Sequence, residues 1–401
     1  MLFPAITSRP AFSVQKLGIS YVLLALFAGL LGGILAVPEG GFAVTPGLVL
    51  CHGILMAFFV VVPACLGGFG QLLLPKELGV ERTLLPGMSF AGFGLLSSGV
   101  VLLPLLPLLS LLLWALGAVA VALDIIVTVL EGRSQAFRAL TPMVWALLVT
   151  ACGVVVVAPA LAAMITRTAL SVLGAAPRDV HVMSAASFAH VLQMPEAALM
   201  LVPALGLTCS LLPVGRGALS VRVAPYAFAC AGVLGPIFWL DSIFQPYPQA
   251  IVQAMTWATQ MLPAFVMLGA LLRDVWVERR SLDGVAYWGL GALLLLTAGW
   301  GPSLLMVEGS HSAAAFGSLM AVCGGLYAWL SSLSGGRVPG WLCRGHAAVT
   351  LLGALCSLTP SLEVIGGAVM GVSLLGFVAV GIVLGWRFVQ AQAEQRVSVS
   401  S

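Results

Sequence analysis

The stretch GLVLCHGILMAFFVVVPACLGGFGQLLLP, residues 47–75, holds no Asp, Glu, Lys or Arg and a single histidine, His52. As an α-helix rising 1.5 Å per residue it is long enough to cross the roughly 30 Å of hydrocarbon in a bilayer. It lacks the strict alternation of a membrane β-strand. The rest of the chain is built in the same way. Of its 401 residues 61% are hydrophobic and 8% charged, against about 25% charged in an ordinary soluble domain. Charges this sparse cannot cover a water-facing surface, so lipid is the expected solvent.

Similar apolar runs lie near 17–37, 88–106, 109–130, 141–164, 188–213, 223–245, 250–272, 286–306, 310–332, 346–359 and 366–388. Together with 47–75 they predict an all-α fold, a polytopic membrane bundle of about twelve transmembrane helices. It forms one domain over 1–401, with 391–401 as a disordered tail. Only Leu-Pro-Leu-Leu separates the third and fourth runs. The first run begins after Lys16 and reads as a retained helix, without the small-residue cleavage site of a secretory leader. With the N-terminus in the cytoplasm, all 17 Lys and Arg except Arg167 and Arg178 fall on the inner side. That is the positive-inside pattern, and it puts both termini in the cytoplasm, with a bacterial inner membrane as the expected location. The same bias accounts for the net charge of +3, and nothing points to nucleic acid. The eight cysteines form no CxxC. Seven read as small apolar packers, and Cys343, in a cytoplasmic loop, is expected to stay reduced.

Ionisable residues inside membrane spans are costly and mark functional sites by default. Here they are His52, Asp124, His190, Glu196, Asp241, His311 and, at the edge of a span, His346. His52 and His311 each sit near the outer end of a helix that enters from outside. Two imidazoles at similar depth can bind one metal or both faces of a haem iron. They can equally each bond a backbone carbonyl or a hydroxyl on a neighbouring helix. His190 and Met194 are four apart and share a helical face. Asp124 reads as paired with a neighbouring polar group and is given no role.

The order of residues narrows these choices. HGILMAFFVVVPACLGGFGQLLLP (52–75) resembles the second helix of haem-copper oxidase (cytochrome c oxidase) subunit I, H-x-x-x-M-x-F-F-x-x-x-P-x-x-x-G-G-F-G-N-x-x-x-P, with Gln71 for the Asn. KLGISYVLLALFAGLLGGILA (16–36) resembles that family's first helix and LTPMVWALLVTACGVVVVAPALAAMITR (140–167) its fifth. MPEAALMLVPALGL (194–207) is similar to its sixth and AVCGGLYAWL (321–330) to the end of its tenth. The order is collinear over nearly the whole chain. The resemblance implies a low-spin haem held by His52 and His311, the latter placed by counting back from Gly325, Tyr327 and Trp329.

It also implies what is missing. The family's high-spin haem ligand falls on Gly309. Its three copper histidines fall on Met194, Asp241 and Ser242, and its cross-linking Tyr on Ala198. The eighth-helix Lys of one proton path has no counterpart in TQMLPAFVMLGAL (259–271). No Arg stands in EVIGGAVMGVSL (363–374), where the family anchors haem propionates. Gly40 replaces the Arg beside the haem formyl group, which favours a haem without that group. Arg82 stands where an acid opens a proton path, and Glu196 matches an acid further along it. A buried neutral acid bonded to a neighbouring helix accounts for Glu196 equally. If the fold is kept, Asp241 lies near His190 and Met194, as a new metal site or as a His–Asp hydrogen bond filling the vacated pocket.

Three functions follow as expectations. The first is an electron-transfer subunit with one bis-His haem, type a or b, and no copper, which does not itself reduce oxygen. Its partners would be other membrane subunits of a respiratory complex, and a periplasmic cytochrome c, a copper-bearing domain or quinol. The second is a non-catalytic scaffold or assembly subunit of an oxidase-like respiratory complex. The third is an active terminal oxidase with relocated ligands.

Overall fold

The computed structural model describes residues 11–35, 51–172, 174, 199–244, 247–278, 282–300, 311–333 and 338–400. Among them the chain is helical throughout, without strands. In chain order we name α1 Ala11–Leu35, α2 Cys51–Leu72, α3 Pro86–Leu102, α4 Pro107–Gly132, α5 Pro142–Val172 and α6 Leu199–Leu211. Then come α7 Leu219–Ser242, α8 Ala250–Glu278, α9 Ala286–Trp300, α10 His311–Leu333, α11 Gly340–Ser357 and α12 Glu363–Ser400.

Eight of these are long and apolar enough to cross a membrane: α1, α2, α4, α5, α7, α8, α10 and α12. The described parts of α3, α6 and α9 are apolar but shorter. The twelve spans expected from sequence are a larger count than these eight. The last helix keeps regular backbone through 391–400, the stretch the sequence leaves as tail.

Local chemistry sets the helix starts. Proline opens α3, α4 and α5, where its missing N–H would be unpaired anyway and its fixed φ suits the first turn. Residues 103–106, the Leu-Pro-Leu-Leu boundary, make the turn between α3 and α4. Those two helices then meet backbone to backbone. A Cβ added at Gly92 would lie 2.8 Å from the Gly117 carbonyl oxygen, and one at Gly117 would lie 3.0 Å from that of Gly92. In lipid such close approach replaces the hydrophobic drive available in water. The same device joins α5 to α7, where a Cβ at Gly153 would meet the Gly232 carbonyl at 2.5 Å.

Helix α2 is the centre of the bundle. Of its span 89% is buried, against 22% for α12. It widens into two π turns, Leu55–Val61 and Pro63–Phe69. Pro63 lacks the N–H an interior α-helical position needs, and an i→i+5 turn is a known accommodation of such an interruption. Exposed aromatic rings, Tyr226, Trp276 and Trp341, lie toward the ends of α7, α8 and α11 that the charge pattern assigns to the cytoplasm. They suit the headgroup level.

Candidate functional site

His52 stands in the first turn of α2, half-buried, with Nδ1 2.9 Å from the Gly32 carbonyl oxygen in the last turn of α1. A carbonyl only accepts, so Nδ1 carries the proton and Nε2 is left as the lone-pair nitrogen. That is the arrangement of a metal-binding histidine whose far N–H is fixed by a backbone carbonyl. Gly32 has to be small: a Cβ there would sit 3.2 Å from Met56 Sδ and 3.4 Å from Leu55 Cβ. His311 is the first residue of α10, and its side chain lies outside the described set. So do residues 190, 194 and 196 altogether, which removes His190, Met194 and Glu196 from the geometry.

Helices α2 and α10 pack against each other. They close tightly at Phe69, whose Cζ would lie 2.7 Å from a Cβ at Gly325. An apolar gap with only ≈ 10 Å³ of free space, partly open at its edge, lies between α1, α2, α10 and α12. Val22, Gly29, Val60, Leu319, Val322 and Leu374 line it. The gap has room for about one water molecule, far below the usual ligand-cavity range of about 300–1,000 Å³. His52 precedes Val60 by two helical turns, and His311 precedes Leu319 by two. His52 is not among the residues that line the gap, which as it stands has no room for a haem. No arginine lies in 363–374 to meet its propionates.

Asp241, expected near His190 and Met194, is exposed on α7 and accepts a 2.7 Å hydrogen bond from the Tyr247 hydroxyl. That bond raises the Tyr247 phenol above its ordinary range. Nothing in the sequence flagged Tyr247 as its partner. Among the described residues no three His, Cys, Asp or Glu side chains come together as a metal site would require.

Two buried polar clusters carry the rest of the site chemistry. The first surrounds Asp124 of α4, which is 0% exposed. Its Oδ2 accepts from Ser89 Oγ at 2.6 Å and Gln71 Nε2 at 3.1 Å. Its Oδ1 accepts from the Leu85 amide at 2.8 Å and Thr128 Oγ1 at 3.3 Å. Thr83 donates to Gln71 Oε1 at 3.0 Å, and Tyr21 donates to the Ser89 carbonyl at 2.6 Å. The sequence marked Asp124 as paired, and this is the pairing. The second cluster centres on His346 of α11, between Tyr327 of α10 and Ser373 of α12. The sequence named His346 only at the edge of a span and used Tyr327 only to fix a register.

This architecture is that of an integral membrane helix bundle, with one histidine ring tied to a neighbouring helix. In sequence the chain is similar to cytochrome c oxidase subunit 1. It is 24% identical over 373 residues to that of Cereibacter sphaeroides, covering 77% of this chain and 65% of the relative. It is 24% identical over 427 aligned positions to that of Pecten maximus, covering 87% and 88%. A shorter match, 32% over 102 residues, joins it to that of Tetrahymena pyriformis and covers 22% of this chain. The chain thus spans slightly less than two thirds of the Cereibacter sphaeroides relative's length. No protein-family model matches. The relationship is a weak, cytochrome c oxidase subunit 1-like one.

Proposed function

We propose that this protein is a membrane electron-transfer subunit that holds one low-spin haem between His52 and His311 and does not itself reduce oxygen. The observation that carries the reading is the His52 hydrogen bond to Gly32, which leaves Nε2 free to serve as an axial ligand. The similarity in sequence to cytochrome c oxidase subunit 1 supports it. With both axial positions filled by imidazole, the iron offers oxygen no place. A haem so held supplies reversible one-electron exchange. The chain's own residues fix one ligand ring, through the Gly32 carbonyl.

In this reading the bundle has about twelve spans in one domain, lies in a bacterial inner membrane and keeps both termini in the cytoplasm. The haem is type a or b, and the centre uses no copper. The relatives are named as subunits, and the partners proposed here are other membrane subunits with a periplasmic cytochrome c, a copper-bearing domain or quinol. His190, Met194 and Glu196 are proton or pocket residues without a catalytic role, and Asp241, exposed and bonded to Tyr247, is not one of them.

The test is a reduced-minus-oxidised visible spectrum of the purified protein. A reversible low-spin haem signal is expected, abolished in His52→Ala and in His311→Ala. A preparation without haem, or mutants that keep the signal, would refute the assignment. The missing arginine in 363–374 favours a second reading, a scaffold subunit of an oxidase-like complex. It gives no haem signal and normal folding of both variants.

A further inference from the structure

The cluster around His346 has a proton order that can be read bond by bond. Its Nε2 lies 2.9 Å from the Ser373 carbonyl oxygen and 2.9 Å from Ser373 Oγ. The carbonyl only accepts, so Nε2 carries the proton and donates. Nδ1 is then the basic nitrogen, and the Tyr327 hydroxyl, 2.7 Å away, donates to it. Thr350 Oγ1 donates to the His346 carbonyl at 2.8 Å. Ser373 Oγ therefore donates to Thr350 Oγ1 across 2.6 Å. Among the described residues the network closes on His346 itself, which suits a local transfer.

We propose that Tyr327 and His346 form a proton-coupled redox pair, in which Tyr327 surrenders an electron to a high-potential one-electron oxidant of the oxygen-radical class. As the electron leaves the phenol ring, the O–H bond breaks and an Nδ1–H bond forms. The products are a neutral tyrosyl radical, a His346 imidazolium and the oxidant reduced by one electron. Ser373 keeps its hold on Nε2–H throughout, so the ring does not rotate. Re-reduction of the radical returns the proton over the same 2.7 Å.

The surroundings fit this chemistry. Tyr327 is 0% exposed, which shields a radical from quenching. Trp288 stacks on it with ring centroids 5.4 Å apart, and the Trp288 indole N–H is tied to the Cys343 carbonyl at 3.2 Å. Exposed Trp341 lies two residues before Cys343, toward the start of α11.

The molecule supplies its own control. Tyr21 is equally buried, but its hydroxyl donates to the Ser89 carbonyl. A carbonyl cannot take the proton that an oxidised phenol must lose. Tyr21 is therefore expected to resist oxidation where Tyr327 yields.

The experiment uses the full-length protein in detergent, with Tyr226, Tyr247 and Tyr287 replaced by Phe to silence the more exposed phenols. Flash-generated tris(bipyridine)ruthenium(III) is the oxidant, and ring-deuterated tyrosine identifies the paramagnetic signal. A tyrosyl signal is expected that forms more slowly in D2O and vanishes in Tyr327→Phe. Loss of a positioned base typically costs about 10²–10⁴-fold, so His346→Gln should slow formation by at least about a hundredfold. The idea fails if no tyrosyl signal forms or if the signal survives Tyr327→Phe. It fails equally if formation is indifferent to D2O, a comparison that needs no change at His346. None of these outcomes depends on whether His52 and His311 hold a haem.

Discussion

The buried polar clusters around Asp124 and His346 solve the same problem in opposite ways. Around Asp124, donors from α2, α3, α4 and the 83–85 segment converge on one carboxyl group. None of these four partners is basic. The side chain acts as a sink for hydrogen bonds and knits four elements together. Around His346 the ring both gives and receives, sitting between a phenol that donates and a carbonyl that accepts. The first cluster therefore has much to lose when its centre is removed and nothing to transfer. The second loses less and can move a proton. Buried polar networks of either kind stabilise only while every member is satisfied.

The comparison can be tested from its strongest consequence downward. Asp124→Ala leaves four donors facing a void. At about 1–3 kcal/mol for each buried group left unpaired, this variant should lose about 4 kcal/mol or more and accumulate poorly. Asp124→Asn restores the shape but turns one acceptor into a donor facing Ser89 or Leu85, and should fall between Ala and wild type. Thermal unfolding in detergent, followed by tryptophan fluorescence, gives the order. If Asp124→Ala is as stable as wild type, the carboxyl is not the hub described.

His346→Leu strips Tyr327 of its acceptor and Ser373 of its donor, two groups rather than four. At the same rate a loss of about 2–6 kcal/mol is expected, about half that for Asp124→Ala in the same assay. A reversed ranking would overturn the contrast between hub and relay.

The smallest effect is at Cys343, whose carbonyl holds Trp288 beside the second cluster. Burial pushes its thiol up to about 11, with the indole contact opposing and Asp283 assisting. The thiol is therefore neutral at pH 8, and the reactive thiolate appears only as pH rises toward 11. Alkylation of native protein by iodoacetamide should be slow at pH 8 and should accelerate as His346→Leu loosens the surroundings. Rapid labelling of wild type at pH 8 would show that Cys343 is open to solvent.

How much of this was readable beforehand differs by residue. Helix positions followed from apolar length, and the 103–106 turn followed from Leu-Pro-Leu-Leu, because proline and run length act locally. His52 was legible because an imidazole in an apolar run is rare. Its carbonyl partner was not, since Gly32 has no side chain to signal the role and depends on how α1 crosses α2. Asp124 stood out by charge. Gln71, Thr83 and Ser89 did not, as uncharged polar residues are common near helix ends. Tyr247 was hidden from the reading of Asp241 for a similar reason. The π turns of α2 left no mark beyond Pro63, because they arise from how its neighbours pack.

The bond from His52 to Gly32 has an electrical side as well. Gly32 sits where the negative end of the α1 dipole emerges, roughly half an elementary charge spread over the terminal carbonyls. An imidazole leaning on that end is a richer electron donor through its opposite nitrogen. Whatever centre binds at Nε2 is thereby biased toward its more positive state, and a helix that touches no ligand becomes one of the settings of its potential.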